Sequence, residues 1–169
     1  MRTLALVFCL AISVQGCSYA ISPPVARQAD KTIAFEKLFA DPAPFTGKTV
    51  VLGGMIAHTK NTPKGTLIEI VQKELDYWGK PRRTDKTGGR FLLLHPGYLD
   101  AMVYAPGREV TVAAEVTGAE EKSLTQAEYR YPLLRAKELR LWEREQQSWD
   151  RPQWMDPLHD PYGPGRGDR

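Results

Sequence analysis

Apolar and polar residues alternate along residues 109–117, the clearest β-strand pattern in the chain. One face of this strand is expected to be buried, and it consists of Val110, Val112, Ala114 and Val116. The opposite face, which includes Thr111 and Glu115, is expected to be exposed, and Gly118 to end the strand. Apolar and β-branched runs predict four more strands: residues 49–58, 66–73, 91–95 and 133–145. The last run also has a composition that suits a helix, but Leu139 and Leu141 alternate with charges, which favours a strand.

Two adjacent glycines, Gly53 and Gly54, interrupt the first predicted strand. Paired glycines weaken a strand unless the sheet bends there or another backbone comes close, and a strongly coiled barrel strand needs such a bend. A helical turn is expected at residues 98–104, between the third and fourth strands, which is the order of an OB-like barrel. The predicted fold is therefore mostly β, a small antiparallel OB-like β-barrel of about five strands.

The segments that flank the strands predict a short helix and two irregular regions. Residues 32–40 are expected to form a helix that Thr32 caps, because their apolar side chains share a face and prolines follow. Residues 17–31 contain two consecutive prolines and few apolar side chains, which is typical of a tether. Residues 146–169 show no hydrophobic period and are expected to form a flexible tail, which leaves residues 32–145 as the barrel domain.

The N-terminus has the layout of a secretory signal. Arg2 precedes an uncharged, mostly aliphatic run at residues 4–14, and the small residue Gly16 precedes Cys17. The run is shorter than the about 20 apolar residues that a membrane span needs. A cysteine directly after the cleavage site resembles the lipobox of bacterial lipoproteins, in which the thiol receives a diacylglycerol. Residues 1–16 are therefore expected to be a signal peptide and Cys17 the lipidation site. The alternatives are a plain cleaved signal with a chance cysteine, or an uncleaved helix.

Charge is informative locally rather than overall. With 23 Lys and Arg against 20 Asp and Glu, the formal charge of +3 is too small to indicate a nucleic-acid partner. Residues 77–90, however, hold five basic residues against the single acid Asp85: Lys80, Arg82, Arg83, Lys86 and Arg90. This basic loop is expected to contact anionic material such as a glycan or a lipid headgroup. The alternative is a solvated loop whose charges are balanced by nearby carboxylates: Glu69, Glu74 and Asp76.

No motif for catalysis is recognisable in the sequence. The three histidines are scattered, and the chain has no G-x-S-x-G elbow, no Cys/His metal-ligand spacing and no glycine-rich phosphate loop. Cys9 lies in the signal, so the mature chain keeps one cysteine, and its sulfur is expected to carry lipid. The sequence therefore predicts a protein that is not an enzyme and that has no cofactor, no metal and no disulfide.

Several stretches, in addition to the lipobox at Cys17, resemble the Slp family of bacterial outer-membrane lipoproteins, named for a starvation-inducible member. They follow in order across residues 35–142: FADPAPFTGKTVVLGGMI, TLIEIVQKELDYWGKP, GRFLLLHPGYLD, GREVTVAAEVTG and YRYPLLRAKELRLW. The resemblance implies a compact β-domain of no established activity and three acyl chains on Cys17. It also implies an outer-membrane anchor. Ser18 agrees with this location, because the residue that typically retains such lipoproteins in the inner membrane is an aspartate at this position. The implied function is a structural or stress-related, non-catalytic envelope protein. One alternative is an envelope binding module whose basic loop 77–90 contacts an anionic ligand; the expected partner is a glycan, a lipid or a protein of the envelope. Another alternative is a hydrolase whose site is not recognisable in the sequence.

Overall fold

Five strands form the core of the fold: β1 (Thr49–Thr62), β2 (Gly65–Lys73), β3 (Arg90–His95), β4 (Glu109–Leu124) and β5 (Ala127–Leu141). In the computed structural model they close into a barrel in the order β1-β2-β3-β5-β4. Neighbouring strands run antiparallel, except that β3 and β5 pair in parallel. The predicted OB-like barrel of about five strands is confirmed.

The structure describes residues 19–124 and 127–144, without the side chains of residues 122–124 and 127–129. The expected signal peptide, Cys17 and the expected tail at residues 146–169 lie outside these residues.

The alternating pattern of β4 places its apolar residues inside the barrel as expected. The four predicted core residues of this strand are fully buried: Val110, Val112, Ala114 and Val116. They pack against large side chains of the other strands and of the helix Phe35–Ala40, among them Ile56, Ile70, Phe91, Leu134 and Phe35. A single hydrophobic core therefore fills the barrel, as a close-packed interior requires.

Three expectations about β4 differ from the structure. Thr111, which the pattern places in solvent, is fully buried, as is its neighbour Ala113, because the loop after β2 crosses the outside of the barrel at Thr111. Glu115 is only partly exposed. Gly118 does not end the strand. Its φ of +140° coincides with a register shift between Val116 and Gly118, so the strand continues beyond it as a bulge.

The paired glycines of β1 mark a close approach of other atoms. A Cβ on Gly54 would collide with the backbone carbonyl oxygen of Val71 on β2, and a Cβ on Gly53 would collide with the side chain of Leu75. The close backbone approach that the sequence allowed is therefore present at Gly54, whereas at Gly53 the approaching group is a side chain. The strand itself continues past the expected end to Thr62.

The ambiguous last segment is a strand, which confirms the favoured alternative, but it begins earlier than expected, at Ala127, and ends earlier, at Leu141. The expected helical turn at residues 98–104 is a hydrogen-bonded turn, in which the amides of Val103 and Tyr104 donate to the carbonyl oxygen of Asp100. The helix expected at residues 32–40 is present as Phe35–Ala40. The expected start was wrong: the N-cap is Ala34 and not Thr32.

The expectation of a tether at residues 17–31 is wrong from Ala20 onward, because the chain packs on the barrel from that residue. Ala20 and Ile21 are buried, and a short helix, Pro23–Ala26, follows them. The amide and hydroxyl of Ser22 donate to the carboxylate of Glu138 on β5 over 2.9 and 2.7 Å. Farther along, the amide of Asp30 donates to the carbonyl oxygen of Thr49. Residues 19–31, the N-terminal segment, therefore form part of the folded domain.

Candidate functional site

Three of the five basic residues predicted to contact an anionic ligand form ion pairs within the protein. Lys80 Nζ lies 3.6 Å from Glu109 Oε2, and Arg83 Nε lies 3.5 Å from the other oxygen of Glu109. On the far side of the loop, Arg90 donates to Glu69 Oε1 over 2.6 Å. Glu69 was among the carboxylates named for the solvated-loop alternative, whereas Glu109 was not. These pairs neutralise part of the positive charge of the basic loop.

Arg82 and Lys86 are the two remaining predicted residues, and both are exposed. Within the described part of the chain, neither forms an ion pair, although Arg82 Nε is 3.4 Å from the carbonyl oxygen of Leu75. Lys73 Nζ donates to the carbonyl oxygens of Thr84 and Lys86 and so fixes the backbone of this half of the loop. An anionic ligand would therefore meet mainly Arg82 and Lys86.

A tight turn at residues 76–80, the aromatic tip, begins the basic loop. One carboxylate oxygen of Asp76 accepts hydrogen bonds from the amides of Trp78 and Lys80, over 2.9 and 2.8 Å. Gly79 adopts a φ of +78° and its amide donates to the carbonyl oxygen of Asp76. Tyr77 and Trp78 stand at the apex, 91% and 72% exposed, with their ring centroids 5.2 Å apart in an edge-to-face arrangement. The sequence analysis missed this feature, although two aromatics between Asp76 and a glycine are a readable turn signal.

Thr111 attaches the aromatic tip to the barrel. Its hydroxyl donates to the carbonyl oxygen of Gly79 over 2.6 Å and accepts a hydrogen bond from Trp142 Nε1 over 2.9 Å. Leu75 and Pro81 pair as a bridge at the base of the turn, and Leu75 lies against Gly53 of β1. The exposed aromatic rings therefore stand on a fixed support.

A cleft of about 500 Å³ lies between the aromatic tip and the N-terminal segment. Apolar side chains dominate its lining, which includes Tyr19, Ile21, Ile33, Val51, Leu75 and Trp78. Tyr19 is 65% exposed. The next residue, Ala20, lies so close to the tip that a Cβ on Gly79 would be 2.7 Å from its methyl group. Tyr19, Tyr77 and Trp78 therefore belong to one surface, the aromatic face.

Asp30 and Lys31 add charge to the rim of this cleft. The pKa of Asp30 lies below its ordinary value, chiefly because the hydroxyl of Thr32 donates to the carboxylate, with the amide of Thr32 and the charge of Lys48 acting in the same direction. Asp30 is therefore an anion at neutral pH, next to the exposed Lys31.

In the described residues, no group of three or more His, Cys, Asp or Glu side chains is placed to hold a metal ion. His95 Nδ1 lies 3.1 Å from both the amide nitrogen and the carbonyl oxygen of Gly97, so it is occupied by a local turn. None of the helices in the described ranges is long and apolar enough to cross a membrane.

Comparison with known proteins identifies relatives of the whole domain. A family model described as the outer membrane lipoprotein Slp family matches residues 14–166. An uncharacterized protein of Haemophilus influenzae is 28% identical over 136 residues, which cover 79% of this chain and 72% of that protein. The outer membrane protein Slp of Escherichia coli is 24% identical over 140 residues, covering 82% and 73%.

The likeness to solved structures is distant. A putative aspartyl-tRNA synthetase of Leishmania major aligns with a TM-score of 0.37 and 15% identity, over 63% of this chain and 19% of that one. The family match, by contrast, covers nearly the whole chain and includes Cys17. The chain therefore belongs to the Slp family of outer membrane lipoproteins.

Proposed function

We propose that this outer membrane lipoprotein is anchored by three acyl chains on Cys17 and that its barrel is a structural or stress-related, non-catalytic component of the envelope. The observation that carries the proposal is the sequence around the cysteine. A basic residue, an apolar run and Gly16 come before Cys17, and the folded domain begins within three residues after it, at the buried Ala20.

The number of acyl chains determines how firmly the protein is held. Each buried CH₂ group contributes about 0.8 kcal/mol, and a single chain holds a protein only marginally. Three chains make the anchor effectively permanent, so no additional membrane-spanning segment is needed for retention.

The non-catalytic part of the proposal is supported by the structural roles of the acidic side chains. Glu69 pairs with Arg90, Glu109 with Lys80 and Arg83, and Glu138 holds the N-terminal segment. Each of these carboxylates thus has a partner that accounts for its position without a substrate.

The two cysteines of the precursor allow a matched test of the anchor. In cells fed labelled palmitate, the unchanged protein and the Cys9→Ser variant should be labelled and processed alike. Cys17→Ser should accumulate as an unlabelled, uncleaved precursor, since the thioether requires the sulfur at position 17. Label retained in the Cys17→Ser variant would exclude Cys17 as the lipidation site.

Contact with an anionic envelope ligand is a second candidate function, favoured by the exposure of Arg82 and Lys86. Heparin serves as an anionic glycan probe for the detergent-solubilised protein. The double variant Arg82→Glu with Lys86→Glu should elute at lower salt than a control with Arg27→Glu and Lys37→Glu, two exposed cations elsewhere, because surface contacts are screened over about 8 Å at physiological salt. Elution of the two double variants at the same salt concentration would exclude the basic loop as the site of contact with an anionic ligand.

A further inference from the structure

The aromatic tip holds two large aromatic side chains in solvent, and lipid anchoring at Cys17 does not explain their exposure. Tyr77 and Trp78 are held apart from the barrel core by the hydrogen bonds of Asp76 and remain 91% and 72% exposed. Tyr and Trp combine an apolar ring with a polar group, which suits the boundary between lipid headgroups and acyl chains.

Covalent geometry places this surface next to the anchor. Two peptide units separate the Cα atoms of Cys17 and Tyr19, which can therefore be at most about 7 Å apart. Tyr19 lines the same cleft as Trp78. An acyl-bearing sulfur at the surface of the bilayer thus brings Tyr19 to that surface, and the aromatic tip with it.

Beside the anion Asp30, two basic side chains near the aromatic face can contact a phospholipid surface. Lys31 is exposed and lines the cleft, and the exposed Arg82 follows the tip in the chain. Long basic side chains beside interfacial aromatic rings can reach lipid phosphates while their apolar stems stay near the acyl boundary.

We propose that Tyr19, Tyr77 and Trp78 form an interfacial face that rests on the lipid surface and holds the barrel in one orientation. This inference rests on the proposed lipidation of Cys17. The N-terminal segment is packed on the barrel through Ile21 and Ser22, so only Cys17 and Ser18 separate the lipid from the folded domain. The barrel then lies directly on the membrane, and the side of the barrel opposite the aromatic face points away from the lipid.

The lipidated protein offers a clean spin-labelling test because the mature chain has a single cysteine, whose sulfur would carry lipid. Tyr77→Cys introduces the sole free thiol at the aromatic tip. Tyr98→Cys introduces one at an exposed aromatic of another loop, 72% exposed against 91% for Tyr77 and absent from the cleft lining. Both labelled proteins are reconstituted into vesicles of phosphatidylethanolamine and phosphatidylglycerol, and collision with oxygen and with a water-soluble nickel chelate is measured.

The label at position 77 should show a higher ratio of oxygen to nickel collisions than the label at position 98, because oxygen concentrates in lipid. Adding Trp78→Ser to the Tyr77→Cys protein should lower this ratio, whereas adding Met102→Ser, at an exposed residue of the β3–β4 loop, should leave it unchanged. A label at position 77 as aqueous as that at position 98 would overturn the proposal. So would low collision with both reagents, which indicates a protein partner on the aromatic face.

The unsubstituted protein separates failure of this inference from failure of the anchor. With Cys17 acylated, it takes up no thiol label and enters the vesicles. A labelled Cys17, or a protein that stays out of the vesicles, would contradict both the proposed lipid anchor and the proposed interfacial face. A vesicle-bound, unlabelled protein with an aqueous position 77 would contradict the interfacial face alone.

Discussion

Replacing Thr111 with valine tests whether the aromatic tip is built on the barrel as described. Valine has nearly the shape of threonine but no hydroxyl, so the packing of β4 is preserved. The carbonyl oxygen of Gly79 and Trp142 Nε1 both lose their partner. Thr111→Ser is the matched control, because it keeps the hydroxyl and removes only a methyl group.

The two variants should lose different amounts of unfolding free energy, and the difference is large enough to measure. A polar group left without a partner in the interior costs about 1–3 kcal/mol. Gly79 and Trp142 are half-buried, so water can reach them in part, and the low end of that range for each gives about 2 kcal/mol for Thr111→Val. Losing one buried methyl group costs about 1 kcal/mol in Thr111→Ser.

Urea unfolding in detergent, followed by circular dichroism, measures both variants. The midpoint should shift with an unchanged slope, since the surface exposed on unfolding stays the same. Amide exchange at Gly79 and Lys80 should accelerate in Thr111→Val and not in Thr111→Ser. A Thr111→Val protein as stable as the unchanged one, or more stable than Thr111→Ser, would refute the role assigned to this hydroxyl.

Two further predictions concern β1 and the cleft. Gly54→Ala should cost more stability than Gly53→Ala, about 1–3 kcal/mol from overpacking, because its Cβ meets the fixed backbone of β2 whereas that of Gly53 meets a movable leucine side chain; equal unfolding midpoints would contradict this. The lowered pKa of Asp30 implies a stabilising contribution that is complete above its ordinary value of 3.8 and is lost as pH falls through the lower folded-state value. In a carboxyl NMR titration, Thr32→Val should raise the Asp30 pKa towards that ordinary value, and an unchanged titration would exclude the hydroxyl as its main cause.

The strands could be predicted from the sequence where one local pattern decided their position. The alternation from Val110 to Val116 reports which side chains face the core, and the structure buries all of them. The outward residue Thr111 could not be assigned, because what covers it is a loop that follows another strand, at Gly79. A period of two distinguishes the faces of a strand but does not tell whether both are covered.

Most of the remaining differences between the predicted and the observed structure come from contacts between residues far apart in the chain. Residues 17–31 look like a tether because their polar side chains and prolines have no local partner, whereas Ser22 finds Glu138, 116 residues away in the chain. Gly118 resembles a strand end, yet its positive φ lets the strand bulge and continue. Of the candidate sites, the signal around Cys17 is readable in sequence because its features are contiguous. The pairing of Glu109 with Lys80 and Arg83 depends on the closed barrel and was not readable.

Mass spectrometry of the N-terminal peptide can show whether Cys17 carries the lipid anchor. Trypsin cuts after Arg27, so the mature protein should begin with a peptide of residues 17–27. This peptide should carry a thioether-linked diacylglycerol on Cys17 and a third acyl chain on its amino group. A peptide of residues 17–27 with a free thiol, or a peptide that continues into residues 1–16, would contradict the account.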